Sequence, residues 1–161
     1  MESKNKILVV DDSNTNLLKT GMAVTALGHE AVKVDSGREA IQLAETEDFD
    51  VILLDIVMPE MDGFEILGRL KENERLQHIP VIVISVLEDE KENVARAIEL
   101  CAEDFLPKDF DRVVFKARVN SALEKKRNHD ANRRYLQEVG VITHAAEILE
   151  NGPVNPERLG F

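Results

Sequence analysis

Three short apolar runs rich in β-branched residues constrain the fold of this chain most strongly. They span Lys6–Val10, Val51–Leu54 and Val81–Ile84. Strands that are buried on both faces have this composition, which is typical of a parallel sheet covered by helices on each side. Weaker strand candidates lie at Glu30–Val34 and Asp104–Leu106. The pattern therefore predicts five strands in one buried sheet.

Segments with helical spacing alternate with these strands. Ser13 precedes the first helix and Gly28 closes it, while Ser36 and Asp62 each stand three residues before a glutamate, the spacing of a capping box. A further helix is predicted over about Glu88–Leu100. Five alternations with right-handed crossovers favour a doubly wound α/β domain that has helices on both faces of the sheet.

Composition narrows the function classes. Hydrophobic residues make up 43% of the 161 residues, enough for a core, and the formal net charge of −11 argues against general nucleic-acid binding. Cys101 is the one cysteine in the sequence, so no intrachain disulfide forms. No run approaches the roughly 18 apolar residues of a membrane span, and the polar start MESKNK is unlike a signal peptide. We expect a cytoplasmic protein that does not enter a membrane.

Polar residues stand where the predicted strands end. Asp11 and Asp12 end the first strand, Asp55 the third and Ser85 the fourth, and Lys108 follows the fifth. Ligands of doubly wound folds bind at this edge of the sheet. Carboxylates that converge there repel one another, and a hard cation relieves the repulsion. A site without His or Cys ligands suits Mg²⁺.

The same residues suit phosphoryl transfer. Lys108, Ser85 and Mg²⁺ together could hold the oxygens of a phosphoryl group, and Asp55 could attack it to form an acyl phosphate. Taken singly, each residue has an ordinary interpretation: a strand-end Asp forms a turn or a cap, Ser85 is a satisfied loop hydroxyl, and Lys108 is a solvated charge. Their joint placement at one edge favours the site.

From about Lys4 to Leu123 the chain resembles the response-regulator receiver domains of the CheY-like superfamily. The resemblance rests on ILVVDDS, VILLDIVMPEMDGFE, PVIVIS and AEDFLPK. It implies a five-stranded, parallel, flavodoxin-like fold. It also implies a two-component switch that a sensor histidine kinase phosphorylates with the help of Mg²⁺. Such a domain catalyses only its own phosphoryl transfer and slow self-dephosphorylation.

The resemblance implies a role for each site residue. Asp55 is the phosphoacceptor, Ser85 the switch hydroxyl, Lys108 the charge partner of the phosphoryl group, and Phe105 the switch aromatic. The implied ligands of Mg²⁺ are Asp11, Asp12, Asp55 and the backbone carbonyl of Val57.

Three positions depart from the family pattern. Asp109 replaces the usual proline, whose peptide bond to the lysine is cis, so we predict a trans or visibly strained Lys108–Asp109 bond. Val86 is larger than usual and, with Val57 and Leu87, predicts slow access of water to the site. Cys101 replaces a glycine; we expect a buried structural thiol, at a cost of about 1 kcal/mol if its φ is positive.

The C-terminal part differs from the receiver. We predict a receiver at residues 1–123, a helical extension at 124–150 and a connector or disordered tail at 151–161. A heptad seam favours a coiled-coil dimer, although an amphipathic helix packed on the receiver would look similar; it comprises Asn132, Tyr135, Val139, Ile142, Ala146 and Leu149. A homodimer through the fourth and fifth helices is also open. The tail is similar to linkers of multidomain regulators with cyclase or phosphatase outputs, so an output domain is missing or separate.

Two rival functions remain open. An aspartate-nucleophile phosphohydrolase needs a D-x-D pattern at the first strand, whereas this chain has Asp11-Asp12-Ser13. A degenerate receiver would act as a phosphorylation-independent dimerisation module, against which the intact set of acidic, hydroxyl and lysine side chains argues.

Overall fold

The computed structural model describes residues 4–58, 61–85 and 90–138. The parallel sheet has the strand order β2-β1-β3-β4-β5, which confirms the predicted fold class. All five predicted strands are present. In chain order the elements are β1 Lys6–Val10, α1 Asn14–Ala26, β2 Glu30–Val34, α2 Gly37–Thr46, β3 Val51–Asp55, α3 Gly63–Glu72, β4 Val81–Ser85, α4 Glu90–Glu99, β5 Asp104–Pro107 and α5 Arg112–Glu138.

Side chains alternate between two apolar layers, one on each face of the sheet. In β1, Leu8 and Val10 pack with α2 and α3, whereas Ile7 and Val9 pack with α1 and α5. All five residues of β3 and of β4 are buried. Burial on both faces explains why these strands are continuous apolar runs rather than alternating ones.

Hydrogen bonds at the helix ends agree with the sequence signals. The hydroxyls of Ser13 and Ser36 accept bonds from backbone N–H groups in the first turns of α1 and α2, and Asp62 Oδ1 accepts from the N–H of Glu65 at 2.9 Å. Each such cap contributes about 1 kcal/mol. Gly28 follows α1 with a φ of +89°, the left-handed position that closes a helix.

Gly63 brings the start of α3 against the end of β3. Its N–H donates to the carbonyl of Ile56 at 2.7 Å, and a Cβ at this position would lie 2.2 Å from the carbonyl oxygen of Asp55. No residue with a side chain fits this approach without a backbone shift. The glycine therefore fixes the backbone around the last residue of β3.

The structure answers two of the questions raised by departures from the family pattern. The Lys108–Asp109 bond is trans, as predicted, since the described residues contain no cis peptide bond. The expected burial of Cys101 is wrong, because its thiol is exposed. Cys101 has a φ of +68° and follows α4, where its N–H donates to the carbonyl of Ile98 and the N–H of Ala102 donates to that of Ala97. This pattern is a Schellman motif, whose left-handed residue lies at the exposed end of the helix.

The chain divides into two compact units, residues 1–126 and 127–161. The second unit is described as far as Glu138 and is helical there. Tyr135 is exposed, and the other apolar seam positions, from Val139 onward, lie outside the described residues, as does the predicted tail. Within the described parts of the chain, no helix combines the length and apolarity needed to cross a membrane.

Replacing Gly63 with alanine should lower the free energy of unfolding by at least about 2 kcal/mol, because the new methyl group overlaps backbone atoms of β3. Gly68, within the same helix, has nothing within 4 Å of its would-be Cβ, so Gly68→Ala should raise stability by up to about 1 kcal/mol. Urea unfolding of both variants measures the difference. A Gly63→Ala protein as stable as the parent would contradict the close approach.

Candidate functional site

Three carboxylates meet at the carboxyl edge of the sheet. Asp55 is the last residue of β3, and Asp11 and Asp12 follow β1, the strand beside it. Ligand oxygens of all three lie within 4.8 Å of one another. β1 and β3 are also the strands between which the winding of the sheet reverses, the switch point where such folds bind their ligands. The structure thus brings the predicted acidic residues together.

The carboxylate of Asp55 is the most buried charge of this cluster. The residue is 1% exposed, and neither carboxylate oxygen has a hydrogen-bond partner of good geometry among the described residues. Burial and then the charge of Asp11 raise the pKa of Asp55 to about 6, against the opposing effect of Lys108 and the backbone N–H of Val57. Burial of a charged carboxylate is unfavourable, so Asp55 keeps its proton to a higher pH than an exposed aspartate does.

Lys108 compensates part of the negative charge. Its Nζ lies 3.2 Å from Asp55 Oδ1 and 3.6 Å from Asp11 Oδ2. The backbone N–H of Lys108 donates to the carbonyl of Ser85 at 2.8 Å, so the loop after β5 is held to the end of β4. One ammonium faces two buried carboxylates and the exposed Asp12, which leaves the cluster with net negative charge.

Ser85 and Phe105 occupy neighbouring strands beside the cluster. Ser85 is fully buried, and its Oγ accepts a hydrogen bond from the side-chain amide of Asn93 at 3.4 Å. Phe105 pairs with Val83 in the sheet and is half-buried against the apolar layer that contains α2 and α3. The predicted effect of bulk at Val86 and Leu87 concerns positions outside the described residues.

Sequence reasoning did not find two polar contacts at this edge. Asn93 of α4 reaches Ser85, and Lys19 of α1 donates to the carbonyl oxygen of Lys108 at 2.6 Å. Both side chains come from helices whose rotation relative to the sheet is set by packing. Neither stands in a motif, so the sequence carries no signal for these pairs.

The acidic residues fit a magnesium ion on structural grounds. Three carboxylates within 4.8 Å offer the hard oxygen ligands that Mg²⁺ takes, and among the described residues neither oxygen of Asp55 makes a hydrogen bond of good geometry. Val57 is 64% exposed and lies near the start of the loop that leaves β3. A divalent cation would neutralise the negative charge of the carboxylates that Lys108 does not compensate.

An open parallel sheet of order 2-1-3-4-5 is the flavodoxin-like doubly wound fold, and here acids and a lysine lie at its carboxyl edge. The chain belongs to the response regulator receiver domain family, which residues 7–120 match. It is therefore the receiver domain of a two-component response regulator, with α5 extending beyond the matched region.

Comparisons with individual proteins agree with the assignment to the receiver domain family. The response regulator PleD of Caulobacter vibrioides is 35% identical over 90% of this chain, which spans about a third (32%) of PleD. Protein PilH of Pseudomonas aeruginosa is 33% identical over 73% of this chain and 97% of PilH. The solved DrrB receiver domain, described as BeF3 activated, is 30% identical with a TM-score of 0.67 and covers 76% of this chain and 99% of its own.

The raised pKa of Asp55 makes a prediction about stability. Below about pH 4 the Asp55 side chain is protonated in both the folded and the unfolded protein. Between about pH 4 and 6 the unfolded chain has released this proton and the folded protein still holds it. The free energy of unfolding therefore falls as the pH rises through this range. Without divalent cations, Asp55→Asn should therefore raise the free energy of unfolding at pH 7 by about 1–3 kcal/mol. The gain should vanish near pH 4.

Chemical denaturation across this pH range measures the effect. Asp35→Asn, which removes an exposed carboxylate outside the cluster, is the matched control and should change stability by less than about 0.5 kcal/mol at every pH. A constant difference between Asp55→Asn and the parent from pH 4 to 7 would show that burial does not raise the pKa.

Proposed function

We propose that Asp55 accepts a phosphoryl group from a sensor histidine kinase, and that this chain is a phosphorylation-controlled switch. The observation that carries the proposal is the state of the Asp55 carboxylate. It is buried, unsatisfied by hydrogen bonds among the described residues, and faced by the ammonium of Lys108 and two further carboxylates. Groups whose pKa is shifted by burial and by neighbouring charge concentrate at functional sites.

The proposed reaction is a nucleophilic displacement at phosphorus. A carboxylate oxygen of Asp55 forms the new O–P bond while the bond between phosphorus and the donor's histidine nitrogen breaks, and the nitrogen keeps the electron pair. With a pKa of about 6, most Asp55 side chains are ionised at pH 7 and so able to attack. Lys108, 3.2 Å away, stabilises the negative charge of the phosphoryl oxygens.

Mg²⁺ is the proposed cofactor. Asp11, Asp12 and Asp55 would hold it through carboxylate oxygens, with the backbone carbonyl of Val57 as a further ligand. When bound, the ion supplies positive charge that neutralises phosphoryl oxygens during transfer. This assignment is supported by the charge of the site, where one lysine faces three clustered carboxylates and the net charge remains negative.

Ser85 and Phe105 are proposed to pass the signal on. Ser85 Oγ would turn toward the phosphoryl group and leave the amide of Asn93, and Phe105 would move into the vacated space. Supporting this, Ser85 is buried beside the acid cluster and Phe105 is only half-buried, on the strand that pairs with β4. The change would alter the surface formed by α4, β5 and α5, a two-state response to one added charge.

The partner, the location and the domain arrangement of this chain are proposed from the properties of the receiver family. The proposed partner is a cognate sensor histidine kinase, and the proposed location of this chain is the cytoplasm. The receiver would occupy residues 1–123 and a helical linker 124–150, leading to an output domain outside this sequence. The match to about a third of PleD supports an output carried by a longer protein. A dimer through the linker helix or through α4 and α5 is part of the same proposal.

Intact mass spectrometry tests the proposed reaction. After incubation with Mg²⁺ and acetyl phosphate, the protein should gain the mass of one phosphoryl group, because the small donor reaches Asp55 without a kinase. When excess EDTA is present during the incubation, the protein should gain no mass, since the three carboxylates then lack their cation.

Two variants control this experiment. Asp55→Asn should gain nothing, whereas Asp35→Asn, an exposed carboxylate outside the cluster, should gain as much as the parent. Equal labelling of the Asp55→Asn protein would place the phosphoryl group elsewhere. No gain in the parent protein from acetyl phosphate or from phosphorylated histidine kinases would favour the rival function, a dimerisation module that does not depend on phosphorylation.

A further inference from the structure

We infer that Lys19 of α1 is a positioning residue for Lys108, holding the loop after β5 so that the Lys108 ammonium stays at the acid cluster. The inference rests on the proposed phosphorylation of Asp55. It adds a residue that is 89 positions away along the chain and belongs to none of the sequence motifs. Lys19 does not touch the reacting groups and acts only through Lys108.

Lys19 contacts the loop at two points. Its Nζ donates to the carbonyl oxygen of Lys108 at 2.6 Å, and the same ammonium lies 4.7 Å from the centre of the Phe110 ring. A hydrogen bond from a cation to a carbonyl is stronger than a neutral one, and a cation over an aromatic face adds attraction. One side chain thus holds the residues on both sides of Asp109.

The loop is anchored on its far side by aromatic packing. Phe110 is 8% exposed and stacks on Phe115 of α5, with ring centres 4.6 Å apart. Phe115 is itself buried in the apolar layer between the sheet and α1 and α5. The far end of the loop is therefore fixed by the packing of Phe110. The segment that still needs restraint is Lys108 and Asp109, and Lys19 binds the loop there.

The sequence of the loop explains why it needs this restraint. Asp109 is exposed, and its bond to Lys108 is trans. Proline would lock φ at this position, but aspartate leaves the backbone free to rotate. With Lys19 in place, the N–H of Lys108 is bound to the carbonyl of Ser85 and its own carbonyl is bound by Lys19.

Hydrogen bonds at both the N–H and the carbonyl of Lys108 fix the position of its Cα, from which the side chain extends. The Lys108 ammonium must stay 3.2 Å from Asp55 Oδ1, at the end of a flexible four-carbon chain. Catalysis of phosphoryl transfer depends mostly on positioning and on charge, so a loosened Lys108 should slow the transfer. Lys19 would then affect the rate of phosphorylation more than the stability of the fold.

The test compares rates of phosphoryl gain from acetyl phosphate and Mg²⁺, followed by intact mass. Lys19→Met keeps the apolar stem and removes the cation, and should slow the gain by roughly three- to tenfold, as expected when one well-placed hydrogen bond is lost. Lys19→Arg can still donate to the carbonyl and lie over the ring, and should keep most of the rate. Lys4→Met removes the same charge beside the start of β1, at the opposite edge of the sheet, and should match the parent.

Each outcome decides the inference. Slow gain in Lys19→Met alone, with a thermal unfolding midpoint close to that of the parent, supports it. An unchanged rate in Lys19→Met overturns it, as does a loss in Lys19→Arg as large as in Lys19→Met. An equal loss in Lys4→Met would show a general effect of charge and would also overturn it. If the parent protein gains no phosphoryl group from acetyl phosphate or from phosphorylated histidine kinases, the proposed function fails and this inference fails with it.

Discussion

The site depends on how two buried carboxylates on neighbouring strands are balanced by one ammonium. Asp11 and Asp55 are both nearly inaccessible to water, and Lys108 reaches each of them within 4 Å. Burying charge is unfavourable unless it is paired and hydrogen-bonded, and here the pairing is incomplete. The protein therefore holds a negatively charged cluster at the edge where phosphate chemistry is proposed. That incompleteness favours a divalent cation, whose positive charge would in turn offset the negative oxygens of a phosphoryl group.

The rest of the domain keeps these charges in place. Buried strands leave Asp55 and Ser85 at the ends of β3 and β4, and Gly63 brings the start of α3 against the backbone of Asp55. The loop after β5 is tied to the end of β4 through the backbone of Lys108 and, from the other side, to α1 through Lys19. Close packing of the sheet and its helices holds the acids together against their mutual repulsion.

Much of this could be predicted from the sequence because the signals are local. Apolar β-branched runs mark strands, and residues that end parallel strands must meet at one edge, so the sequence alone predicts that Asp55 and Ser85 lie there. The hydrogen bonds of Asn93 and Lys19 could not be predicted, since they depend on how each helix is rotated against the sheet. The prediction that Cys101 is buried is wrong, because the side-chain direction of a left-handed residue at a helix end is set by the geometry of the turn and not by its hydrophobicity.

The central claim is that Asp55 becomes an acyl phosphate, and reductive trapping tests it most directly. Borohydride reduces an acyl phosphate to a primary alcohol, which would convert Asp55 into homoserine, and peptide mass spectrometry then reads the residue at position 55. We predict homoserine at this position after treatment with acetyl phosphate and Mg²⁺, with aspartate retained when either is omitted. Unreduced aspartate at position 55 in protein that has gained a phosphoryl group, or homoserine at Asp11 or Asp12 instead, would contradict the claim.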